Sequence, residues 1–225
     1  MQTHDRLLIH SSAEANWRTP EDCFGRLHQE ARFAIDLAAA EDSTLCPTWL
    51  GPGSREGTDA LVLDWYQYRD LGPGFLNPPF SKTLANAYRT GRIKNLDGHW
   101  QPHEVDYVKA TWYEIENWAR KCWQESQRGF TIYAVLPFAP QTDWYRQYVY
   151  GHGAPSDLPL MGPIAGMWSG HAAMEERRLP HRISFLRPDG TSAANAGVNS
   201  VVIIWRPNPG YVGPWQPAVR YWSYR

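Results

Sequence analysis

The sequence predicts an α/β protein, because predicted helices and extended segments alternate along the chain and turn-rich gaps separate them. Its 225 residues are enough to build one hydrophobic core. No internal repeat or low-complexity tract interrupts the alternation. We therefore expect residues 1–225 to form a single domain.

Composition and charge exclude several classes of protein. The 22 Lys and Arg residues balance the 23 Asp and Glu residues, so a nucleic acid would have to bind at a local basic patch. The three cysteines lie far apart without a CxxC pair, which argues against a disulfide framework and a structural zinc site. The sequence has no signal-like apolar segment at its start and no run of 18 apolar residues. We expect a cytoplasmic protein that binds no metal and spans no membrane.

The first predicted elements are a helix and two short strands. Thr19 is the predicted N-cap of the helix, and Pro20 stands at its first helical position. Residues 33–38 and 60–64 are apolar runs that predict strands, and the glycine-rich residues 51–58 between them predict a loop.

The second half of the chain predicts longer elements. The apolar spacing over residues 104–127 predicts one long amphipathic helix. Buried strands are predicted at residues 74–77, 130–136 and 198–205. Residues 151–170 are rich in Gly and Pro and predict a long loop, which in a compact domain indicates function or disorder.

Three consecutive predicted strands deliver a polar residue at their carboxyl ends. These residues are Asp36, Asp64 and Asn77. Ligands of open α/β sheets bind outside the carboxyl ends of the strands. We therefore expect a ligand site at this edge of the sheet.

The segment Asn77-Pro78-Pro79-Phe80 predicts the most specific chemistry in the chain. An amino group conjugated to a ring is a poor nucleophile because its lone pair is delocalised. Two acceptors beside its hydrogens, the side-chain oxygen of Asn77 and the carbonyl of Pro78, would favour a tetrahedral nitrogen and free that pair. The prolines fix φ and add no competing N–H, and Phe80 offers a stacking face for the ring. We assign these four residues to catalysis.

This quartet after an apolar strand resembles motif IV of the S-adenosylmethionine-dependent amino methyltransferases that act on adenine N6. Over residues 16–206 the chain resembles the phage-type Dam DNA N6-adenine methyltransferase family. The further motifs, in chain order, are Trp17-Arg18-Thr19-Pro20, Asp36-Leu37-Ala38-Ala39, Asp64-Trp65, Leu136-Pro137, Thr142-Asp143-Trp144 and Arg182-Ile183-Ser184-Phe185. The resemblance implies a Rossmann-like methyltransferase fold, with a mostly parallel twisted sheet and helices on both faces, and a site-specific, adenine-specific DNA methyltransferase.

The resemblance also implies S-adenosylmethionine as cofactor. It assigns to the cofactor site Trp17, Thr19, Pro20, Asp36, Ala38 and Asp64. Asp36 would pair with the methionine ammonium, and Asp64 would lie near the cofactor adenine. Many related enzymes have a glycine-rich loop after the first strand, but residues 39–42 (AAED) stand there in this chain. Side chains would then hold the amino-acid end, and Glu41 and Asp42 are candidates.

A double-stranded DNA substrate would have to expose adenine N6 by base extrusion, and basic side chains should surround the site. The predicted DNA-contacting residues are Lys82, Arg89, Arg92, Lys94, Arg177, Arg178 and Arg182. The first four carry four positive charges without an acid between Phe80 and Leu96, a pattern that also fits a solvated helix face. Target recognition is expected in an insertion at 82–102 or at 151–181, and we favour the second.

Two alternatives stay open. An Asn-Pro-Pro-aromatic motif serves any planar amino acceptor, so RNA or a protein glutamine could be methylated instead. The absent glycine-rich loop is also compatible with a non-catalytic DNA-binding phage protein of the same fold. The basic segments favour a polyanion but do not separate DNA from RNA. The expected location is the cytoplasm of a bacterial host, with a phage, prophage or chromosomal gene; the recognition sequence and oligomeric state stay open.

Overall fold

The computed structural model of the chain describes residues 17–95, 98–151, 173–192, 199–207 and 217–224. The elements in chain order are α1 (Glu21–Ala31), β1 (Ile35–Asp36), β2 (Thr48–Trp49), a 3₁₀-helix (Trp65–Leu71), β3 (Gly74–Leu76), α2 (Lys82–Thr90), β4 (Arg92–Lys94), β5 (Trp100–Pro102), α3 (Tyr107–Trp112), α4 (Ile115–Gln127), β6 (Ile132–Pro137), a π-helix (Tyr145–Val149), β7 (Glu175–Arg178), β8 (Ser200–Trp205) and β9 (Ala218–Tyr221). None of the helices in these ranges is long and apolar enough to cross a membrane.

The central sheet of the described residues has seven strands in the order β2-β1-β3-β6-β8-β7-β9. Four of its six neighbouring pairs are parallel, namely β1 with β2, β1 with β3, β3 with β6, and β7 with β9. Strand β8 runs antiparallel to both of its neighbours. The mostly parallel, Rossmann-like α/β architecture is therefore confirmed.

Alternating side chains place a hydrophobic core on each face of this sheet. In β6, Ile132, Ala134 and Leu136 pack in one core cluster, whereas Tyr133 and Val135 pack in the other. The first cluster contains the buried hydrophobic residues of α4 and the second those of α1. Strands that are covered on both faces are apolar throughout, which explains why β6 and β8 are recognisable in the sequence.

Two of the predicted elements near the start of the chain are wrong. Residues 60–64 do not form a strand, because the Asp59 side chain accepts a hydrogen bond from the Leu61 N–H at 3.0 Å and starts a turn. Asp64 then caps the 3₁₀-helix. Thr19 is not the cap of α1, which has Pro20 at its N-cap position and no side-chain cap bond.

Two predictions in the second half also need correction. The helix predicted over 104–127 is interrupted at Tyr113 and Glu114, which separate α3 from α4. Residues 175–178, placed in a recognition insertion by the sequence, form strand β7 within the sheet. Most of the segment 151–181, and of the loop predicted at 151–170, lies outside the described residues.

Segment 82–102 contains α2 followed by a separate two-stranded sheet. Strands β4 and β5 pair antiparallel, with Arg92 opposite Pro102 and Lys94 opposite Trp100. We call residues 92–102 the hairpin; its Leu96 and Asp97 lie outside the described residues. The side chains of Arg92, Lys94 and Trp100 are exposed.

Candidate active site

A cavity of about 570 Å³ lies at the carboxyl edge of the sheet. Asp36 is the last residue of β1 and Asn77 directly follows β3, and both line this cavity. The two strands pair in parallel with Asp36 opposite Phe75, so their ends emerge side by side. The structure therefore brings Asp36 and Asn77 together in the wall of one cavity.

The cavity gathers six of the ten residues predicted for catalysis and the cofactor. They are Trp17, Thr19, Asp36, Ala38, Asn77 and Pro79. Pro20, Asp64, Pro78 and Phe80 are not among the described residues that line it.

The side chain of Asn77 has a fixed orientation. Its Nδ2 donates a hydrogen bond to the main-chain oxygen of Trp17 at 2.8 Å. A carbonyl oxygen only accepts, so the amide cannot be reversed, and Oδ1 is the atom left to accept from a ligand. The two prolines that follow end β3, because they have no N–H for a strand ladder.

Asp36 is a buried carboxylate with modest hydrogen bonding. Its Oδ1 accepts from the Ala38 N–H and its Oδ2 from the Leu45 N–H, both at 3.3 Å. Burial raises the pKa of Asp36 from 3.8 to about 6, and the two main-chain hydrogen bonds offset only part of this effect. A cation bound beside Asp36 would stabilise its ionised form.

Thr19 contributes a second polar group to the cavity wall. The residue is only 4% exposed, and within the described part of the chain no hydrogen-bond partner reaches the buried Oγ1. A buried hydroxyl without a partner is costly. A ligand in the cavity could supply the missing hydrogen bond.

The loop after β1 is held by side chains and one close contact. Asp42 lines the cavity and pairs with Arg18 at 2.6 Å, while the described lining does not include Glu41. Gly51 has φ +137°, and a Cβ there would lie 2.2 Å from the carbonyl oxygen of Ala39. Only a glycine fits at position 51, so the close contact with the loop after β1 is made by a glycine that follows β2.

Asp64 is not among the described residues that line the cavity, unlike most of the other residues predicted for the cofactor. Its side chain accepts from the Tyr66 N–H at 3.2 Å, and its carboxylate pairs with Arg128 at 2.5 Å. The hydrogen bond from Arg128 lowers the pKa of Asp64. Asp59 lines the cavity instead, where its Oδ1 accepts from Trp112 Nε1 at 2.8 Å.

Sequence reasoning missed a whole wall of the cavity. One additional lining residue, Asp59, lies between β2 and the 3₁₀-helix. Others come from α2, α3 and the residues next to them, namely Tyr88, Asp106, Lys109, Trp112 and Tyr113. The turn-forming residues Gly57, Thr58 and Asp59 could have indicated that the chain turns at Asp59 and does not continue as a strand. The sequence around Tyr113 carries no comparable stop signal, because residues 107–127 fit one helical pattern.

The predicted basic residues of segment 82–94 are in different situations. Lys82, Arg92 and Lys94 are exposed, whereas Arg89 forms an ion pair with Glu114. The guanidinium carbon of Arg92 lies 5.3 Å, and Nζ of Lys94 5.1 Å, from the centre of the Trp100 ring. The hairpin therefore presents an exposed ring together with two cations.

The arginines predicted between residues 177 and 182 do not form one basic patch. Arg177 is buried and forms ion pairs with Glu30 at 2.6 Å and Glu175 at 2.8 Å. Arg178 pairs at 2.6 Å with Glu176, which is fully buried. Arg182 is exposed and donates to the Asn199 side chain at 3.0 Å. Arg177 and Arg178 therefore pair with the buried carboxylates of Glu175 and Glu176, and this geometry does not support the prediction that they contact DNA.

No group of three or more His, Cys, Asp or Glu side chains suited to a metal ion occurs in the part of the chain that the structure describes. Residues 9–213 match the family model described as DNA N-6-adenine-methyltransferase (Dam). Comparisons with curated proteins and with solved structures gave no match. Since the family model covers most of the sequence, the chain belongs to the Dam family of DNA N-6-adenine-methyltransferases.

Proposed function

We propose that this chain transfers a methyl group from S-adenosylmethionine to the N6 atom of adenine in double-stranded DNA. The observation that carries the proposal is the oriented Asn77 amide in the same cavity as the Asp36 carboxylate. When bound, S-adenosylmethionine supplies an electrophilic methyl group on a sulfonium. The protein has to hold the acceptor nitrogen in line with that group.

The cavity suits this cofactor in size and in chemistry. Its volume of about 570 Å³ lies within the range of small-molecule sites. Asp36 can pair with an ammonium group, and the buried hydroxyl of Thr19 lacks a described partner. We assign Asp59, rather than Asp64, to the nucleoside end, because a carboxylate in the wall can accept hydrogen bonds from ribose hydroxyls.

Asn77 Oδ1 accepts a hydrogen bond from one N–H of the adenine amino group. The main-chain carbonyl of Pro78 accepts a hydrogen bond from the other N–H, a role that rests on the sequence motif. Both hydrogen bonds strengthen as the nitrogen gains positive charge during transfer, so they stabilise the transition state more than the bound substrate. With its lone pair freed in this way, N6 forms the N–CH3 bond as the S–CH3 bond of the sulfonium breaks, and N6 then loses one proton to solvent. No covalent enzyme intermediate is needed.

The hairpin and the start of α2 contact the DNA. Lys82, Arg92 and Lys94 are exposed cations, and Trp100 is 57% exposed. Cations that alternate with an exposed ring suit a phosphate backbone next to an unpaired base. We therefore place target recognition in segment 82–102 rather than in 175–178, which belongs to the sheet.

The test is methyl transfer from radiolabelled S-adenosylmethionine to unmethylated plasmid DNA, a structured RNA and a protein mixture in parallel. The methylated nucleoside is identified by mass spectrometry after digestion. We expect N6-methyladenine in the DNA. Transfer to RNA or protein alone would support the corresponding alternative, and cofactor binding without transfer to any DNA would rule out the proposed activity.

A further inference from the structure

The interruption between α3 and α4 is held by side-chain hydrogen bonds. The carbonyl of Trp112 accepts from Trp118 Nε1 at 2.6 Å, and the carbonyl of Thr111 accepts from Asn117 Nδ2 at 3.0 Å. In a continuous helix both carbonyls would accept main-chain N–H groups four residues further on. The Trp118 side chain takes the place of the main-chain partner at Trp112, and at Thr111 the Asn117 side chain acts together with the Glu114 N–H, whose nitrogen lies 3.3 Å from the Thr111 oxygen. These contacts hold the break.

The break connects Tyr113 to the loop that contains Asn77. The main-chain oxygen of Tyr113 accepts from the N–H of Ser81 at 2.9 Å. Ser81 directly follows the Asn77-Pro78-Pro79-Phe80 quartet and is the N-cap of α2. Tyr113 lines the same cavity as Asn77 and Pro79.

The ring of Tyr113 belongs to an aromatic stack in the cavity wall. Its plane is inclined by only 10° to that of Tyr88, with the ring centres 5.7 Å apart, and Tyr88 also lines the cavity. Nζ of Lys109 lies 5.2 Å from the centre of the Tyr88 ring. Phe80, the ring that the sequence assigns to stacking, is not among the described lining residues.

We infer that Tyr113 is the residue on which the extruded target base stacks in the cavity. The inference rests on the proposed function and adds the ring that positions the base. A flat heteroaromatic base gains contact area from a parallel ring, and this contact offsets part of the cost of leaving the duplex stack. The hydrogen bond between the Tyr113 main chain and Ser81 fixes Tyr113 relative to the loop that contains Asn77. The Tyr113 ring and the Asn77 amide can therefore contact the same base.

The experiment compares wild type, Tyr113→Leu, Tyr113→Phe and Tyr107→Leu in methyl transfer to unmethylated plasmid DNA at saturating S-adenosylmethionine. Tyr113→Leu removes the ring, whereas Tyr113→Phe keeps it. Tyr107 is the matched control, because it lies on α3, is 68% exposed and is outside the described cavity lining. Cofactor affinity by calorimetry and the thermal midpoint are measured for every variant.

We expect Tyr113→Leu to lower kcat/KM for DNA by roughly 10- to 100-fold, with cofactor affinity and thermal midpoint unchanged. Tyr113→Phe, which keeps the ring, should retain most of the activity that Tyr113→Leu loses, and Tyr107→Leu should keep wild-type kcat/KM. Full activity of Tyr113→Leu would overturn the inference, and so would a loss that is matched by lower cofactor affinity or stability. Absence of transfer to DNA by the wild type would contradict both the proposed function and this inference. Wild-type transfer together with a fully active Tyr113→Leu variant would contradict this inference alone.

Discussion

The side-chain amide of Asn77 is bonded to the main-chain oxygen of Trp17, a residue 60 positions earlier in the chain. The segment around Trp17 is itself fixed, because Arg18 forms a β-bridge with Leu186 and an ion pair with Asp42. The orientation of the proposed catalytic amide is therefore set by contacts among distant parts of the sequence. Loss of that orientation would leave the residue in place but turn its acceptor away.

Asn77→Ala should abolish methyl transfer and spare the cofactor. The substitution removes the oxygen that stabilises positive charge on N6, and we expect kcat to fall by at least about 100-fold. Calorimetry should show wild-type affinity for S-adenosylmethionine. An Asn77→Ala enzyme with substantial activity would contradict the assigned role.

Cofactor affinity should increase as the pH rises through about 6. The folded protein holds the proton of Asp36 more tightly than the unfolded chain does, since burial raises its pKa to about 6. This proton's contribution to stability is present below pH 3.8 and is lost as the pH rises through about 6. The ionised carboxylate that remains is the form that binds an ammonium group. Titration calorimetry between pH 5 and 8 measures the effect.

Asp36→Asn is the control for that measurement. It should weaken cofactor binding at neutral pH and flatten the pH dependence between about pH 5 and 7, because no group titrates at this position. A variant with the wild-type pH profile would show that another group is responsible. A wild-type affinity that does not change across this range would argue against an ammonium partner for Asp36.

The hairpin cations should contribute to DNA binding through phosphates. Replacing both Arg92 and Lys94 by Ala should weaken binding to DNA and reduce the slope of log K against log salt by about 2. Arg69→Ala is the control. Arg69 is an exposed arginine on the 3₁₀-helix that precedes β3, so it lies near the amino end of that strand, whereas the cavity lies at the carboxyl ends of the strands. Equal salt slopes for wild type and the double variant would exclude the hairpin from the DNA interface.

Arg177→Ala should destabilise the fold. The substitution leaves Glu175 and Glu30 without their main partner, and we expect a loss of about 2–3 kcal/mol in the free energy of unfolding, because Glu30 is partly exposed. Arg182→Ala, at an exposed position, should stay within about 0.5 kcal/mol of wild type. Urea denaturation distinguishes the two. An Arg177→Ala protein as stable as Arg182→Ala would show that these ion pairs contribute little.

Local sequence patterns indicated the strand ends that bring Asn77 and Pro79 to the cavity wall. Asn77 and Pro79 follow a strand that the prolines themselves must end, and the burial of β6 and β8 on both faces makes them continuous apolar runs. Asp64 was misplaced for a related reason. The apolar run before it resembles a strand, but a single Asp59 side chain directs the backbone into a turn.

The sequence by itself determined the α/β class, the strand ends that carry Asp36 and Asn77, and the family. Only the tertiary structure decided which groups meet them: the Trp17 carbonyl at the Asn77 amide, and Tyr113 in the cavity wall. It also decided that Arg177 forms ion pairs with Glu30 and Glu175. The end of β3 depends on adjacent prolines and is visible in a short window of sequence. The partner of Asn77 and the more distant partner of Arg177 lie 60 and 147 positions away in the chain, and a short window does not show which distant groups the fold brings together.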